Sequence, residues 1–266
     1  MSGTVGNGCS DRVPQGDLTT QVMAIVPAYN SASSVGSVVS GIIGLGSVAC
    51  TLVVDDGSTD QTAAAARRAG ALVIAHPVNL GKGAALRTGF EQFLATGLGA
   101  AVTLDADGQH DPAEIPILVK RWRDTGADIV IGTRRRDVKK MPILRVLTNA
   151  VSSFLVSLAA GQRIDDSQSG FRLLSRSVVG AVRTNSSGYD AESEILVKAA
   201  AKGYRVVSAP VSTIYGDERS HINPLKQPIL FIWVMLRSIF WRFERSGLHT
   251  AHERRRLPRP GNTDAP

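Results

Sequence analysis

The sequence predicts an α/β protein in which a mainly parallel central sheet is flanked by helices. Short apolar runs of strand length alternate with helical patterns from Val22 onward, as in right-handed strand-helix-strand units. Acidic and other polar residues directly follow several of these runs, at the end where an open sheet binds its ligands. The 266 residues, 43% hydrophobic and 20% charged, suffice for one large domain with a substantial core.

Strands and helices can be placed in order along the chain. The predicted strands are residues 22–26, 51–54, 71–75, 100–104 and 128–131, with helices at about 34–45, 62–69, 83–95 and 112–122 between them. Past residue 140 we expect a long amphipathic helix over 142–160, a polar loop, a short strand near 172, a helix over 190–201 and a last strand over 205–211. No internal repeat is apparent.

The cysteines and apolar segments exclude several classes of protein. Cys9 and Cys50 have neither CxxC spacing nor a histidine cluster nearby, so no disulfide framework or zinc site is expected, which fits a reducing cytoplasm. Residues 1–20 contain no apolar stretch of signal-peptide length. The longest apolar segment, 228–240, is interrupted by Arg237 and is shorter than the about 20 residues that span a membrane.

The strand that ends at Leu104 leads into Asp105, Ala106 and Asp107. Residues two apart in an extended segment point the same way, so the two carboxylates can face one cation or one diphosphate. Mg²⁺ usually binds one or two carboxylates together with substrate phosphates. A surface loop with turn-capping aspartates would show the same short pattern, so the rest of the chain has to decide.

Several other polar clusters fall at predicted strand ends and should converge in space. They are Tyr29 with Asn30, Asp55 with Asp56, Asn79 with Gly81-Lys82-Gly83, and Arg134. The glycine-lysine-glycine run at a helix start offers backbone N–H groups, a helix dipole and an ammonium to an anion. Neither a GxxxxGK[ST] loop nor a GxGxxG after the first strand is present, so a nucleoside diphosphate held on a metal is the ligand that remains.

Five motifs in order resemble those of the inverting family 2 glycosyltransferases, which have the GT-A fold. They are residues 26–30 (VPAYN), 54–60 (VDDGSTD), 79–83 (NLGKG), 105–107 (DAD) and 132–134 (GTR). The resemblance covers about residues 22–220. Within the family, residues 105–112, Arg145 with Asn149, and residues 166–172 are similar to dolichyl-phosphate and polyprenyl-phosphate mannosyl- and glucosyltransferases.

The resemblance implies a metal-dependent transfer of a hexose from a nucleotide sugar. The nucleotide would be bound by Pro27, Tyr29, Asn30, Asp55, Asn79, Gly81, Lys82, Asp105 and Ala106. Mg²⁺ or Mn²⁺ would be held by Asp105, Asp107 and Gln109. The acceptor phosphate would meet Arg134, Arg145, Asn149, Arg219, His221 and Lys226, with Asp107, Arg134 and Arg219 at the reacting groups. Many relatives have Asn-Glu where this chain has Asn30-Ser31, which leaves GDP-mannose or UDP-glucose open as donor.

The acceptor decides whether a general base is needed. A polyprenyl or dolichyl phosphate is already an anion at neutral pH and needs only positioning, and we expect mannose transfer to such a lipid. A saccharide hydroxyl, as in cell-envelope polysaccharide synthesis, would need a carboxylate such as Asp165, Asp166, Glu192 or Glu194. Glu192 and Glu194 are two residues apart on a helix and point to different faces, so at most one of them should line the site. A non-catalytic nucleotide-sugar-binding protein is the third alternative.

The end of the chain is basic and aromatic. Residues 223–259 contain eight Lys/Arg and two Glu, a net charge of +6, and their apolar side chains suit a helix in a bilayer interface. A packing helix or dimer contact is the alternative, and nucleic acid is not an expected partner. We therefore expect a flexible leader (1–20), a GT-A catalytic domain (21–222), an amphipathic membrane-interface helix (223–246) and a basic disordered tail (247–266), peripheral on the cytoplasmic face of the membrane.

Overall fold

The computed structural model describes residues 18–134, 143–186, 188 and 191–212, and for residues 134 and 143–150 it describes the backbone alone. The strands are β1 Val22–Ala28, β2 Val48–Asp55, β3 Leu72–Ala75, β4 Ala100–Thr103, β5 Ile129–Arg134, β6 Arg172–Ser175 and β7 Val206–Val211. The α-helices are α1 Val35–Gly44, α2 Thr62–Arg68, α3 Lys82–Leu94, α4 Ile115–Thr125, α5 Ile143–Ala160, α6 Arg176–Ala181 and α7 Ala191–Ala201. Short 3-10 turns cover Leu18–Thr20 and Pro112–Glu114.

The strands form one sheet in the order β3-β2-β1-β4-β6-β5-β7. All neighbouring strands are parallel except β6, which runs antiparallel to β4 and to β5. The predicted α/β class and mainly parallel sheet are therefore confirmed. The reversal of β6 and the short helix α6 were not predicted, because a four-residue apolar run does not reveal its direction.

Both faces of the sheet are covered, which explains why its central strands are apolar throughout. Every residue of β1 is buried, and buried side chains form one hydrophobic cluster on each face of the sheet. Helix α3 lies close to β1: a Cβ added to Gly89 would come within 2.4 Å of Ile25 Cγ2. The middle of α3 is therefore packed closely onto β1.

The strand register brings the polar strand ends together. Ala28 pairs with Asp55, and Asp55 pairs with Ala75, so β1, β2 and β3 end at the same level. Because β6 is antiparallel, its first residue, Arg172, pairs with Thr103 at the end of β4. The edge beyond these residues therefore receives loops from parallel strand ends and from the start of β6.

Several expectations fall on parts of the chain that are not described. Arg219, His221, Lys226, the interface helix and the tail lie outside the described residues, as do the first 17 residues of the leader. Arg134 ends β5, and Arg145 and Asn149 lie on α5, but their side chains are also outside the description.

Two observations concern the cysteines and membrane spans. The sequence predicted no disulfide framework, whereas Cys50 on β2 is disulfide-bonded, so that expectation is wrong. The other cysteine in the sequence, Cys9, is outside the described residues. Among the helices that the structure describes, none is long and apolar enough to cross a membrane.

Candidate active site

A lysine shared by two acids forms the centre of the sheet edge. Lys82 Nζ lies 2.6 Å from Asp105 Oδ1 and 3.2 Å from Glu192 Oε1. The three residues come from the start of α3, the loop after β4 and the start of α7. The side chains of Lys82 and Glu192 are 13% and 7% exposed, whereas that of Asp105 is 26% exposed and faces the edge of the sheet.

The charges of this group keep the lysine protonated. Burial alone would lower the pKa of Lys82, but the negative charges of Asp105 and Glu192 raise it well above its ordinary value. The pKa of Glu192 is raised by burial, an effect that the nearby cations Lys82 and Arg172 oppose. The site therefore holds a charged ammonium that is paired with two acids.

Arg172 ties the loop before β6 to α7. Its guanidinium donates to the carbonyl oxygens of Ser169 (2.7 Å), Ser167 (2.7 Å) and Glu192 (2.6 Å). Arg172 is only 2% exposed, and burial lowers the pKa of its guanidinium. The hydrogen bonds of Arg172 therefore hold the backbone of Glu192 in a fixed position relative to the loop before β6.

Gly170 brings that loop against the Asp105 carboxylate. A Cβ at position 170 would lie 2.5 Å from Asp105 Oδ2, closer than any side-chain carbon can approach. The loop is fixed there by Thr103, whose hydroxyl donates to the Gly170 carbonyl (2.9 Å), and by Ser169, whose hydroxyl donates to the Gly132 carbonyl (2.7 Å). The absence of a side chain at Gly170 is therefore a requirement for the position of Asp105.

The second carboxylate of the motif lies in the turn that follows β4. Asp107 Oδ1 accepts from the N–H of Gln109 at 2.9 Å, and Gly108 between them has a φ of 76°, which favours glycine. The turn continues to His110, which is 2% exposed and lies against the Phe171 ring with centroids 5.3 Å apart. His110 thus anchors the turn to the loop before β6.

The donor set fits a hard divalent cation completed by a ligand. The described residues contain no group of three or more His, Cys, Asp or Glu that could hold a metal by itself. Mg²⁺ commonly takes only one or two carboxylates and obtains its remaining ligands from substrate phosphates and water. Two neighbouring, partly exposed aspartates and the Gln109 amide suit that mode of binding.

The loops after β1 and β2 are joined by hydrogen bonds and leave one aromatic ring exposed. Asn30, at a φ of 49°, accepts from the N–H of Thr59 (2.9 Å) and donates its own N–H to Ser58 Oγ (2.9 Å). Asp55 Oδ1 accepts from the N–H of Ser58 at 3.0 Å. Tyr29 is 47% exposed beside these loops, so part of this aromatic residue is accessible to a ligand.

Asp56 organises the loop that carries the glycine-lysine-glycine run. Its carboxylate, 3% exposed, accepts from the N–H groups of Leu80 (3.0 Å) and Gly81 (2.7 Å). His76 Nδ1 also contacts Asp56 at 2.7 Å, while its Nε2 contacts Thr88 Oγ1 at 2.9 Å. Asp56 and His76 therefore have structural roles, and they fix where Lys82 begins α3.

Glu194 differs from Glu192, as the helix spacing predicted. Its carboxylate accepts from the Thr184 hydroxyl and from the N–H groups of Asn185 (3.1 Å) and Ser186 (3.0 Å), and it pairs with Lys198 at 2.6 Å. Burial would raise the pKa of Glu194, but these hydrogen bonds and the lysine lower it below its ordinary value. Glu194 holds the segment before α7 and lies away from Lys82.

The structure brings together part of the predicted set. Asp105 and Lys82 are in contact, Ala106 is 3% exposed and Pro27 is buried in β1, whereas Asn79 is exposed on the loop before α3. Three residues around Asp105 were not among the predicted binding groups. Gly170 borders the Asp105 carboxylate, Glu192 shares Lys82 with it, and Arg172 binds the backbone of Glu192. The sequence indicates Glu192 only as a possible general base, and no local sequence pattern indicates that its helix reaches the end of β4.

The fold and this acidic, metal-compatible strand edge define a class, the glycosyltransferases with the GT-A fold. The chain belongs to glycosyl transferase family 2, whose family model matches residues 23–183.

Named relatives and solved structures agree with this membership. The chain is 30% identical over 209 residues to the polyprenol monophosphomannose synthase of Mycolicibacterium smegmatis, covering 73% of this chain and 77% of that protein. It is 29% identical over 218 residues to the UDP-N-acetylglucosamine–dolichyl-phosphate N-acetylglucosaminyltransferase of Methanococcus voltae, covering 74% and 86%. The glucosyl-3-phosphoglycerate synthase of Mycobacterium tuberculosis, solved with Mn²⁺, UDP and phosphoglyceric acid, has the same fold (TM-score 0.66, 22% identity, 91% of this chain and 84% of that chain).

Proposed function

We propose that this enzyme transfers mannose from GDP-mannose to the phosphate of a polyprenyl lipid, with inversion at the anomeric carbon. The observation that carries the proposal is the cluster of Asp105, Lys82 and Glu192 beside Asp107 at the sheet edge. Such a cluster combines acceptor oxygens for a cation with a fixed positive charge for a diphosphate. The named relatives that act on polyprenyl or dolichyl phosphates support the choice of acceptor.

The nucleotide would lie across the loops after β1 and β2. The exposed ring of Tyr29 offers a stacking surface for the base, and Asp55 and Asn79 offer polar groups nearby. Asn30 is already bonded to Thr59, so we assign it the task of holding the two loops together as well as contacting the nucleotide. Pro27, Ala106 and the Gly81 backbone would then form the walls of the binding cleft.

The metal-binding residues would be Asp105, Asp107 and Gln109. A bound Mg²⁺ or Mn²⁺ supplies charge stabilisation for the departing nucleoside diphosphate. Lys82 adds a permanently charged ammonium on the same side, and its burial keeps water from screening that charge. The acceptor phosphate needs no proton removed, so the remaining requirement is to hold it in line with the anomeric carbon.

The acceptor-binding cations would come from the predicted set of Arg134, Arg145, Arg219, His221 and Lys226, with Asn149. Arg134 ends β5 at the same sheet edge, so its backbone lies beside the other strand ends. The C-terminal segment 223–246 would lie in the cytoplasmic membrane interface and bring the lipid substrate to these residues. This arrangement makes the enzyme peripheral on the inner face of the membrane.

A partition assay tests the proposal. Purified protein is incubated with Mg²⁺ or Mn²⁺, polyprenyl phosphate and one labelled nucleotide sugar at a time, and label is counted in the organic phase. We expect label with GDP-mannose. Organic label from UDP-glucose alone would replace the donor and keep the acceptor. Donor turnover that requires a saccharide, with none in the organic phase, would overturn the lipid-phosphate acceptor.

One observation favours a second candidate, transfer to a hydroxyl. Glu192 lies beside Asp105 through their shared lysine, and burial raises its pKa, as is common for a general base. Glu192→Gln keeps the size and one acceptor oxygen for Lys82 but cannot take a proton. With a phosphate acceptor we expect the variant to retain turnover within about tenfold and an unchanged pH profile. A loss of about 10²–10⁴-fold together with loss of the acid limb would identify a base.

A further inference from the structure

Helix α5 has a row of exposed apolar side chains along one side. Val151, Phe154 and Leu158 are 50%, 68% and 63% exposed, and their spacing of three and four residues puts them on one face. The opposite face of the helix is buried in the domain, through Ser152, Ser153, Val156 and Ala159. An exposed phenylalanine between two exposed aliphatic residues on one helix face forms a contiguous apolar strip rather than a scatter of single residues.

The same apolar spacing continues in the sequence toward the start of the helix. Leu144 and Leu147 precede Val151 at the same alternation of four and three residues, so the apolar positions are 144, 147, 151, 154 and 158. This is the seam pattern with which one helix packs against another. A second stretch with the same pattern lies near the end of the chain, at Ile229, Ile232, Leu236, Ile239 and Phe243.

We infer that residues 229–243 dock as a helix on the exposed row of α5, so that the C-terminal segment is fastened to the catalytic domain by one of its faces. Both rows have five apolar positions over the same number of residues. Helical periodicity places Leu230, Val234, Arg237 and Trp241 on the side away from the seam. That second side, with its tryptophan and arginine, remains available for the membrane interface.

The connection between the two helices supports this occupant. Gln162, just after α5, accepts from the N–H of Val206 at 3.1 Å, and Ser208 donates to Asp165 at 2.8 Å, so β7 runs beside the end of α5. The first half of β7 is therefore held beside the end of α5, and the chain leaves β7 at Val211, which pairs with Arg134 nine residues before α5 begins. About 17 residues separate Val211 from Ile229, which can reach some 55 Å when extended, twice the 27 Å length of an 18-residue helix.

The size of the row argues against a second copy of the chain. A strip about 21 Å long and one side chain wide buries on the order of 300 Å² per side, well below the about 800 Å² per partner of a stable protein interface. A tethered segment needs less area, because a flexible linker gives it an effective concentration near the millimolar range.

The charge of α5 argues against direct contact with a bilayer. Helices that lie in the membrane interface carry lysine and arginine on their polar face. Over Ile143–Ala160 the only charged residue is Arg145. An apolar helix partner therefore fits the row better than lipid headgroups do.

Site-specific photocross-linking tests this docking in the full chain. Phe154→p-benzoylphenylalanine places the probe in the centre of the row, and Ile117→p-benzoylphenylalanine is the matched control, since Ile117 is 41% exposed on helix α4. A mixture of ¹⁴N- and ¹⁵N-labelled protein is irradiated with vesicles of phosphatidylethanolamine and phosphatidylglycerol, digested and analysed by mass spectrometry. We expect adducts between position 154 and a peptide from 229–243 of the same isotope, absent from the control.

Other products would overturn the inference. An adduct to a phospholipid would make the bilayer the occupant, and a mixed-isotope adduct would make it a second copy. Adducts to 229–243 no more abundant than those of the control would also exclude docking. As a second measurement, Phe154→Glu should speed hydrogen exchange in residues 229–243 at least tenfold, whereas Ile117→Glu should leave it unchanged; equal rates in both would contradict the docking. Neither measurement depends on the sugar donor or the acceptor.

Discussion

Gly170→Ala should impair catalysis without altering any polar group of the site. A Cβ at position 170 would lie 2.5 Å from Asp105 Oδ2, whereas ordinary contacts begin at 3.4 Å, so the carboxylate must retreat by about 0.9 Å. Misplacement of a reacting or ligating group by about 1 Å can lower the rate about 10²-fold. We therefore expect kcat/KM to fall by about two orders of magnitude.

The fold should tolerate this substitution. The φ of Gly170 is not in the left-handed region, and the atoms that must move are the far end of a side chain rather than backbone. We expect a stability loss of about 1 kcal/mol, which lowers Tm by about 2–4 °C in a domain of this size.

Gly180→Ala is the matched control, because its Cβ would meet only Leu94 Cδ2 at an ordinary 3.8 Å. Turnover is measured by organic-phase partition with the best donor, and Tm by circular dichroism. If kcat/KM of the two variants agreed within about threefold, the position of the Asp105 carboxylate would be irrelevant to catalysis and the reasoning would be refuted.

Three further predictions concern charged residues of the site and its supports. Asp107→Ala should abolish turnover while Tm stays within a few degrees; residual turnover above about 1% would exclude Asp107 as an essential ligand. Lys82→Met should lower the free energy of unfolding at pH 7 by about 3 kcal/mol in urea titrations, because two acids lose their shared cation. Lowering the pH should restore part of the lost stability, because Glu192, whose pKa is raised, takes a proton. As a control, Lys120→Met removes an exposed lysine and should lower the free energy of unfolding by less than about 1 kcal/mol. Folding lowers the pKa of Glu194, so the stabilisation by its carboxylate is present above the ordinary pKa of 4.5 and is lost as the pH falls below that value. Glu194→Gln should therefore flatten the acid limb of a curve of Tm against pH. An unchanged acid limb would contradict this prediction.

The elements that sequence predicted best are those with strong local patterns. Strands β1 to β5 and helices α1 to α5 lie where apolar periodicity placed them, with ends shifted by up to a few residues. The largest shifts are three residues, at the start of β2, at the end of β5 and at both ends of α4. Strand β2 begins at Val48 rather than Thr51, because partners in neighbouring strands extend it. Strand ends are set by pairing, and pairing is not visible in a single run of residues.

Local sequence patterns do not predict the group formed by Lys82, Asp105 and Glu192. Asp105 and Asp107 were recognised as a pair because they are neighbours in sequence after an apolar run. Glu192 is 110 residues from Lys82, and Gly170 is 65 residues from Asp105, so no local spacing connects them. Asp56, by contrast, follows a strand end as the sequence predicts, but its carboxylate accepts from backbone N–H groups of the next loop.

The sequence by itself determined the class of fold, the acidic strand end and the resemblance to a family, because these depend on periodicity and on residues close along the chain. The tertiary structure decided which groups surround that strand end. The antiparallel course of β6 brings Arg172 and Gly170 to the edge of the sheet, and packing of α7 against α3 and α5 gives Lys82 its second acid. These contacts depend on strand order and helix packing, which are properties of the whole chain.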